Sequence, residues 1–335
     1  MKRPRLKKSE EKIGSYFLAQ SGVEFISTGC TVLDCCLGGG WPLGRVVNVV
    51  GDKSTGKTLL AIEACVNFKR KFPDGKIYYL EAEAAFDKRF AAMLGLPVDE
   101  VTFIEDCNTV EQLFRELETI TAKARKEPVF FVVDSLDALS DEGEMDSDID
   151  KGTYGSAKAK KMSQIFRRQT KRMASSKMLL MIISQVRDKL NVMFGKKTTR
   201  SGGKALNFYA SQVLWLAEAG KITAVKEGIK RVTGVKVKAT VEKNKVGLPY
   251  RSCQFEILFG YGVDSVSSGL EYLAEVGMLG EVDENLTHTK LKKYMVKLNR
   301  LDDDEYAGVM RQINKAVRRA WRRVETKFLP TRRKY

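Results

Sequence analysis

The sequence predicts an α/β fold: a mostly parallel sheet covered by helices on both faces and extended at one edge by antiparallel strands. Three observations predict it. Short, β-branched apolar runs recur with helical stretches between them, at Val46–Val50, Ile77–Leu80, Val101–Ile104, Val129–Val133, Met178–Ile183 and Gln212–Leu216. The first run leads through a glycine-containing octet straight into helix-forming residues. Two later runs, Gly234–Glu242 and Ser252–Leu258, follow each other without a helix, which places them antiparallel at the sheet edge.

The bulk properties bound the function. With 335 residues, 43% of them hydrophobic, the chain has room for one large or two modest domains with a real core. No apolar run approaches the roughly 18 residues of a membrane span, so no membrane association is expected. The basic N-terminus has no apolar segment behind it and does not read as a secretory signal. The six cysteines (30, 35, 36, 65, 107 and 253) show no C-x-x-C pair or metal spacing, and are expected reduced, in the core of a cytoplasmic protein. His288 stands alone, without a partner for a metal or a triad, and is expected at the surface. Of the net charge of +16, residues 1–8 carry +5 and residues 311–335 carry +9, so the long middle is nearly balanced between two cationic ends. Such ends favour a polyanionic partner.

Taken in order, residues 1–25 read as a basic arm with one short helix from Glu11 to Ala19. The glycine-rich stretch 37–45 turns the chain into the Val46–Val50 strand. Gly51-Asp52-Lys53-Ser54-Thr55-Gly56-Lys57-Thr58 then reads G-x-x-x-x-G-K-T, a phosphate-binding loop. Gly51 and Gly56 let the backbone curl until several N–H groups face one point, and the following helix, Lys57–Lys71, adds the partial positive charge of its N-terminus. Lys57 pairs with the β- and γ-phosphates and the Thr58 hydroxyl ligates Mg²⁺, which makes ATP with Mg²⁺ the expected cofactor.

The strand Ile77–Leu80 ends in Glu81-Ala82-Glu83, two acids on one face of the pleat. One of them positions and deprotonates an attacking water, the task of a general base in nucleotide hydrolysis. Helices follow over Phe86–Gly95 and Thr109–Lys126, the second with Val110, Leu113, Phe114, Leu117, Ile120 and Ala124 on one face. Val129–Val133 is a buried strand that delivers Asp134 to the magnesium shell through water. Asp141–Gly155 reads as a long loop, first acidic and then glycine-containing. Met178–Ile183 runs into Ser184-Gln185, where the Gln185 amide would bond a γ-phosphate and lose that bond on hydrolysis. The cationic stretch Val186–Lys204 reads as a second loop under the control of that residue. Near the C-terminus, Val309, Ile313, Ala316, Ala320, Val324 and Phe328 recur at helical spacing. Arg311, Lys315, Arg318, Arg319, Arg322 and Arg323 lie opposite.

Several stretches together carry a family resemblance: Ile26–Gly29, Gly51–Thr58, Glu81–Asp87, Val132–Ser135, Val192–Gly195, Gly202–Ser211 and Val241–Lys245, in order across about residues 26–262. On these residues the chain resembles the RecA-type DNA recombinases, phage-encoded members included. The resemblance implies a RecA-like ATPase core over 26–262, between the basic arm 1–25 and a small helical or α/β C-terminal domain, 263–335. It implies that Glu83 is the catalytic glutamate, that Phe90 stacks on adenine with Asp87 beside it, and that Gln185 senses the γ-phosphate. Lys243 and Lys245 match a pair reaching the ATP of a neighbouring subunit. The two loops, about 141–161 and 186–204, match DNA-binding loops. Their contacts would come from Lys158, Lys160, Lys161 and Arg167, and from Arg187, Lys189, Leu190, Met193, Phe194, Arg200, Ser201, Gly202, Gly203 and Lys204. The acids of the first loop and Asp188 in the second depart from the family pattern.

The function this implies is an ATP-dependent homologous recombinase in a bacterial or phage-infected cytoplasm. It polymerises on single-stranded DNA as a helical filament and pairs it with duplex DNA, with single-strand-binding and loader proteins as further partners. A ring-forming DNA motor with the same core, and a non-catalytic ATP-binding mediator, remain as alternatives.

Overall fold

The computed structural model describes residues 22–82, 86–145, 155–188, 198–200, 203–298 and 300–330. A two-stranded ribbon of β1 (Phe25–Ile26) and β2 (Trp41–Pro42) brackets helix α1 (Thr31–Leu37). The chain continues through β3 (Val46–Gly51), α2 (Lys57–Lys71), β4 (Lys76–Glu81), α3 (Lys88–Met93), β5 (Val101–Ile104), α4 (Val110–Lys123) and β6 (Val129–Asp134). After α5 (Glu142–Met145) and α6 (Gly155–Ala174) come β7 (Met178–Asp188), β8 (Thr198–Arg200) and α7 (Gly203–Tyr209). The run β9 (Gln212–Lys226), β10 (Ile229–Asn244), β11 (Ser252–Leu258) and β12 (Gly262–Asp264) follows, then α8 (Ser265–Glu275), α9 (His288–Leu298) and α10 (Asp303–Lys327).

Nine of the strands lie side by side in the order β12-β11-β10-β9-β3-β7-β6-β4-β5, with β8 paired to the end of β7. From β9 to β5 the neighbours are parallel, and β10, β11 and β12 add antiparallel, as the sequence predicts. The central strands β3, β6 and β7 are apolar almost throughout because both faces are covered. Val47 and Val49 of β3 and Leu179, Met181 and Ile183 of β7 enter one core with α1, α2, α8 and α10. Val46 and Val50, with Met178, Leu180 and Ile182, enter the other with α4 and α6. Asn48, buried in the middle of β3, is satisfied across the sheet by the Ile182 carbonyl and the Ser184 hydroxyl, both at 2.9 Å.

The helices follow their local signals. α4 opens on a capping box in which Thr109 Oγ1 accepts from the Gln112 N–H and Gln112 reaches back to the Thr109 N–H. α10 opens on Asp302, whose carboxylate accepts from the Glu305 N–H at 2.8 Å. Its buried stripe is Ile313, Ala316, Val317, Ala320 and Trp321. Val309 and Val324 are half-buried, and Phe328, expected on the apolar face, is 77% exposed because it follows the last helical turn. The bidentate pair of Arg251 with Glu325, at 2.7 and 2.6 Å, ties α10 to the edge of the sheet.

Both expected loops contain more regular structure than a loop reading allows. Residues 155–161 are the first turns of α6, so Lys158, Lys160 and Lys161 stand on a helix. The cause is the spacing of Met162, Ile165, Phe166, Gln169 and Met173, whose burial on one face continues the helix to Ala174. In the second loop β7 runs on to Asp188 and pairs antiparallel with β8, Val186 opposite Arg200 and Asp188 opposite Thr198, while Gly203 and Lys204 begin α7. β9 and β10 also overrun their predicted ends. They project as a ribbon that turns at Glu227-Gly228, both at positive φ (51° and 77°), and leaves Val225, Ile229 and Val232 exposed. The predicted helix 11–19 lies outside the described residues.

Candidate nucleotide site

The site is assembled at the carboxyl ends of the parallel strands, where an open α/β sheet presents its ligands. Register does the assembly. Gly51 at the end of β3 is paired with Gln185 on β7, and Glu81 at the end of β4 is paired with Asp134 on β6. Four chain segments far apart in sequence therefore finish along one edge.

Asp52, Lys53 and Ser54 form the exposed lip of the loop, while Thr55 and Lys57 are buried beneath it. Thr55 Oγ1 and Lys57 Nζ both donate to the Asp52 carbonyl, at 2.8 and 2.7 Å, which closes the loop on itself. Gly51 is required by contact and Gly56 by its conformation as well. A Cβ on Gly51 would lie 2.5 Å from Thr55 Oγ1, and one on Gly56, whose φ is +85°, would lie 2.3 Å from Ile257 Cδ1 of β11. Gly56 opens α2, so the N–H groups of its first turn face the loop.

Thr58 Oγ1 donates to Asp134 Oδ2 at 2.8 Å. A hydroxyl and a carboxylate so placed, beside a phosphate cradle, are the oxygen donors that a hard divalent cation takes, so the residues present fit Mg²⁺ with a nucleotide triphosphate. Tyr79, fully buried on β4, donates its phenol to the same carboxylate oxygen at 2.9 Å. Burial and that carboxylate hold its phenol well above the ordinary tyrosine range. Asp137, just past β6, accepts the backbone N–H of Gln185 at 2.7 Å. Sequence reasoning missed both of these supports. Tyr79 carries only an alternation signal, and Asp137 becomes relevant once β6 and β7 are known to be neighbours.

The remaining expected residues divide. Asp87 is the N-cap of α3, accepting from the Arg89 and Phe90 N–H groups at 2.9 and 3.0 Å, and Phe90 is half-buried against the core. Lys243 lies on β10 and Lys245 just past its end at Asn244, and both ammonium groups reach the same helix end. Lys243 Nζ donates to the Asn207 and Phe208 carbonyls at 2.5 and 2.8 Å, and Lys245 Nζ to Phe208 at 3.3 Å. The pair thus sits on the C-terminal carbonyls of α7, where a cation is favoured. Lys161 pairs with Glu111 and lies 3.5 Å from Asp141, so two carboxylates face a charge expected to meet DNA. Arg167 and Lys160 are exposed on α6. Glu83, Lys189, Leu190, Met193, Phe194, Ser201 and Gly202 lie outside the described residues. Of Lys158, Arg187, Arg200, Gly203 and Lys204 only the backbone is described. All six cysteines are free and buried, His288 is exposed, and no described helix is long and apolar enough to cross a membrane.

A buried strand, a glycine-bracketed loop, a helix N-terminus and a hydroxyl–carboxylate pair at a parallel sheet edge define a phosphate-loop nucleotide-binding protein. The sequence model of the RecA N-terminal domain matches residues 7–264, and the chain belongs to the RecA family. It is 35% identical over 257 residues to Protein RecA of Synechococcus sp. (strain CC9902), covering 77% of this chain and 66% of that protein. To Protein RecA of Colwellia psychrerythraea it is 37% identical over 251 residues, covering 74% and 70%. To that of Chlorobium limicola it is 35% identical over 258 residues, covering 77% and 71%. The chain therefore spans about two thirds of the length of these relatives.

Proposed function

We propose that this protein is an ATP-dependent homologous recombinase. It assembles as a helical filament on single-stranded DNA, hydrolyses ATP when DNA is bound, and exchanges strands with a homologous duplex. One observation carries the reading. Gln185 is registered beside Gly51 of the phosphate loop, and the same strand continues directly, from Val186 to Asp188, into the arm it forms with β8. A change at the phosphates would thus reach an arm that carries Arg187 and Arg200 without crossing a loop. Magnesium-bound ATP supplies the phosphoryl group to be cleaved and the charge that Gln185 reads. Lys57 would hold that group, Thr58 directly and Asp134 through water would hold the metal, and Glu83 would take the proton of the attacking water. Lys243 and Lys245, whose ammonium groups donate to the last carbonyls of α7, would meet the nucleotide of the next copy. The family membership and its DNA-acting relatives support the assignment. So does the cationic stripe of α10, where Arg311, Lys315, Arg318, Arg319 and Arg323 are exposed.

Electron microscopy of the purified protein with single-stranded DNA and a non-hydrolysable ATP analogue tests it, together with a strand-exchange assay. Open helical filaments and exchanged product are expected. Closed rings that unwind duplex would assign a motor instead, and unassembled monomers a mediator.

A further inference from the structure

A second concave feature lies beyond residue 264, outside the family match and away from the phosphate loop. It is a groove of about 510 Å³ between α9 and the segment that leads into it. Lys290, Lys293 and Lys297 of α9 line it on one helical face, joined by Arg300 just after the helix. Among the described residues, none of the four pairs with a carboxylate, and Asp283 is the one acid in the lining. Asp283 is itself engaged, accepting the Asn285 N–H at 2.9 Å, and Lys290 donates to the Asn285 carbonyl at 3.1 Å.

The rest of the lining is apolar. Leu286 is buried, Tyr294 packs partly against the core, and Val296 is 50% exposed. Two kinds of chemistry are thus left open in one place. Clustered cations that are not paired with carboxylates repel one another and gain from an anionic ligand, most strongly at low salt. A recessed apolar surface gains from being covered, at about 25 cal/mol per Å². A phosphate backbone answers the first and leaves the second wet. The exposed cationic stripe on α10, which lacks an apolar recess among its charges, is the better match for nucleic acid. A peptide with acidic residues around one bulky apolar side chain answers both, and pockets of roughly 300–1,000 Å³ accept a ligand of that size.

We propose that this groove binds an acidic peptide segment of a partner protein, with Lys290, Lys293, Lys297 and Arg300 taking its carboxylates and Leu286, Tyr294 and Val296 receiving one apolar or aromatic side chain. The inference does not depend on the catalytic reading of the phosphate loop.

The test is fluorescence anisotropy of the full-length protein with a fluorescein-labelled peptide, Asp-Asp-Asp-Phe-Asp-Asp, at about 50 and about 300 mM salt. Saturable binding that weakens with salt is expected. Replacing the phenylalanine of the peptide by alanine should weaken it by about tenfold. Lys293→Glu with Lys297→Glu should weaken it by about tenfold or more at low salt, and Val296→Ser should weaken it at both salt concentrations. Lys315→Glu with Arg323→Glu on α10 should leave it within about twofold, since those charges lie outside the groove. No saturable binding overturns the proposal. So does indifference to the phenylalanine, or an equal loss from the α10 pair, either of which reduces the effect to general charge. A labelled duplex that competes for the groove, and loses its own binding in the Lys293/Lys297 variant, assigns the groove to nucleic acid instead.

Discussion

Glu63 offers a sharp test of how the helix behind the phosphate loop is held. It lies on α2, six residues after Lys57, with its carboxylate wedged between two glycine backbones. A Cβ on Gly29 would lie 2.4 Å from one of its oxygens, and one on Gly262 would lie 2.5 Å from the other. The Val263 N–H donates to Oε1 at 2.7 Å, fastening β12 to α2. Burial pushes the carboxyl from 4.5 up to about 7, against the opposing pull of that N–H and of Arg70. A proton held more tightly in the folded state stabilises it fully below the unfolded value, and that stabilisation is lost as pH rises through about 7. The loss is at most about 3 kcal/mol. Glu63→Gln keeps an acceptor for Val263 and removes the titration. Urea denaturation of both proteins from pH 4.5 to 8.5 reads the difference. The variant should match wild type at the acid end and exceed it by about 2–3 kcal/mol at the alkaline end. Asp34, pushed up to about 6 by its own burial, moves stability in the same direction but is common to both proteins and cancels. A difference that stays constant across this range would refute the reasoning, because it would mean that Glu63 is not forced to ionise against its surroundings.

Three further outcomes are expected. Thr58→Ala removes the hydroxyl that donates to Asp134, and DNA-stimulated ATP hydrolysis should fall about 100-fold or more with little change in melting temperature. A steady-state rate near wild type would remove Thr58 from the metal site. Asp87→Ala deletes the cap that accepts two N–H groups of α3, so denaturant titration should show a loss of about 1 kcal/mol. A rise in the KM for ATP would show in addition that the carboxylate serves the nucleotide. Replacing Arg318, Arg319, Arg322 and Arg323 by Gln should weaken duplex capture and flatten its dependence on salt, by up to about 0.9 in log–log slope for each phosphate that is no longer neutralised. An unchanged slope would leave the α10 stripe as a solvated helix face.

What could be read from the sequence follows from how locally each signal is written. The phosphate loop needs eight consecutive residues, and the strand and helix around it are set by their own composition, so Gly51–Thr58 was legible at once. The strand ends that carry Asp134 and Gln185 were legible for a related reason, since a buried run that stops at a polar residue marks where the chain leaves the core. Beyond Gln185 the same logic misled. The strand continues, but as a two-stranded arm with β8, where no core imposes an apolar alternation, and so its charged residues read as a loop. The β9–β10 ribbon hides in the same way, and its Glu227-Gly228 turn is a weaker hairpin signal than Asn-Gly or Asp-Gly. Spacing pointed Lys243 and Lys245 the same way, yet it could not name what they touch, because the Phe208 carbonyl comes from a helix more than thirty residues earlier. That contact gives the pair a consequence for function. α7 follows directly on the second expected DNA loop, and its last carbonyls are held by the lysines assigned to a neighbour's ATP. Each ammonium group has a limited reach, so in the proposed filament engaging a phosphate across a subunit seam would draw it away from those carbonyls. The end of α7 would then be uncapped at the moment the filament closes on nucleotide.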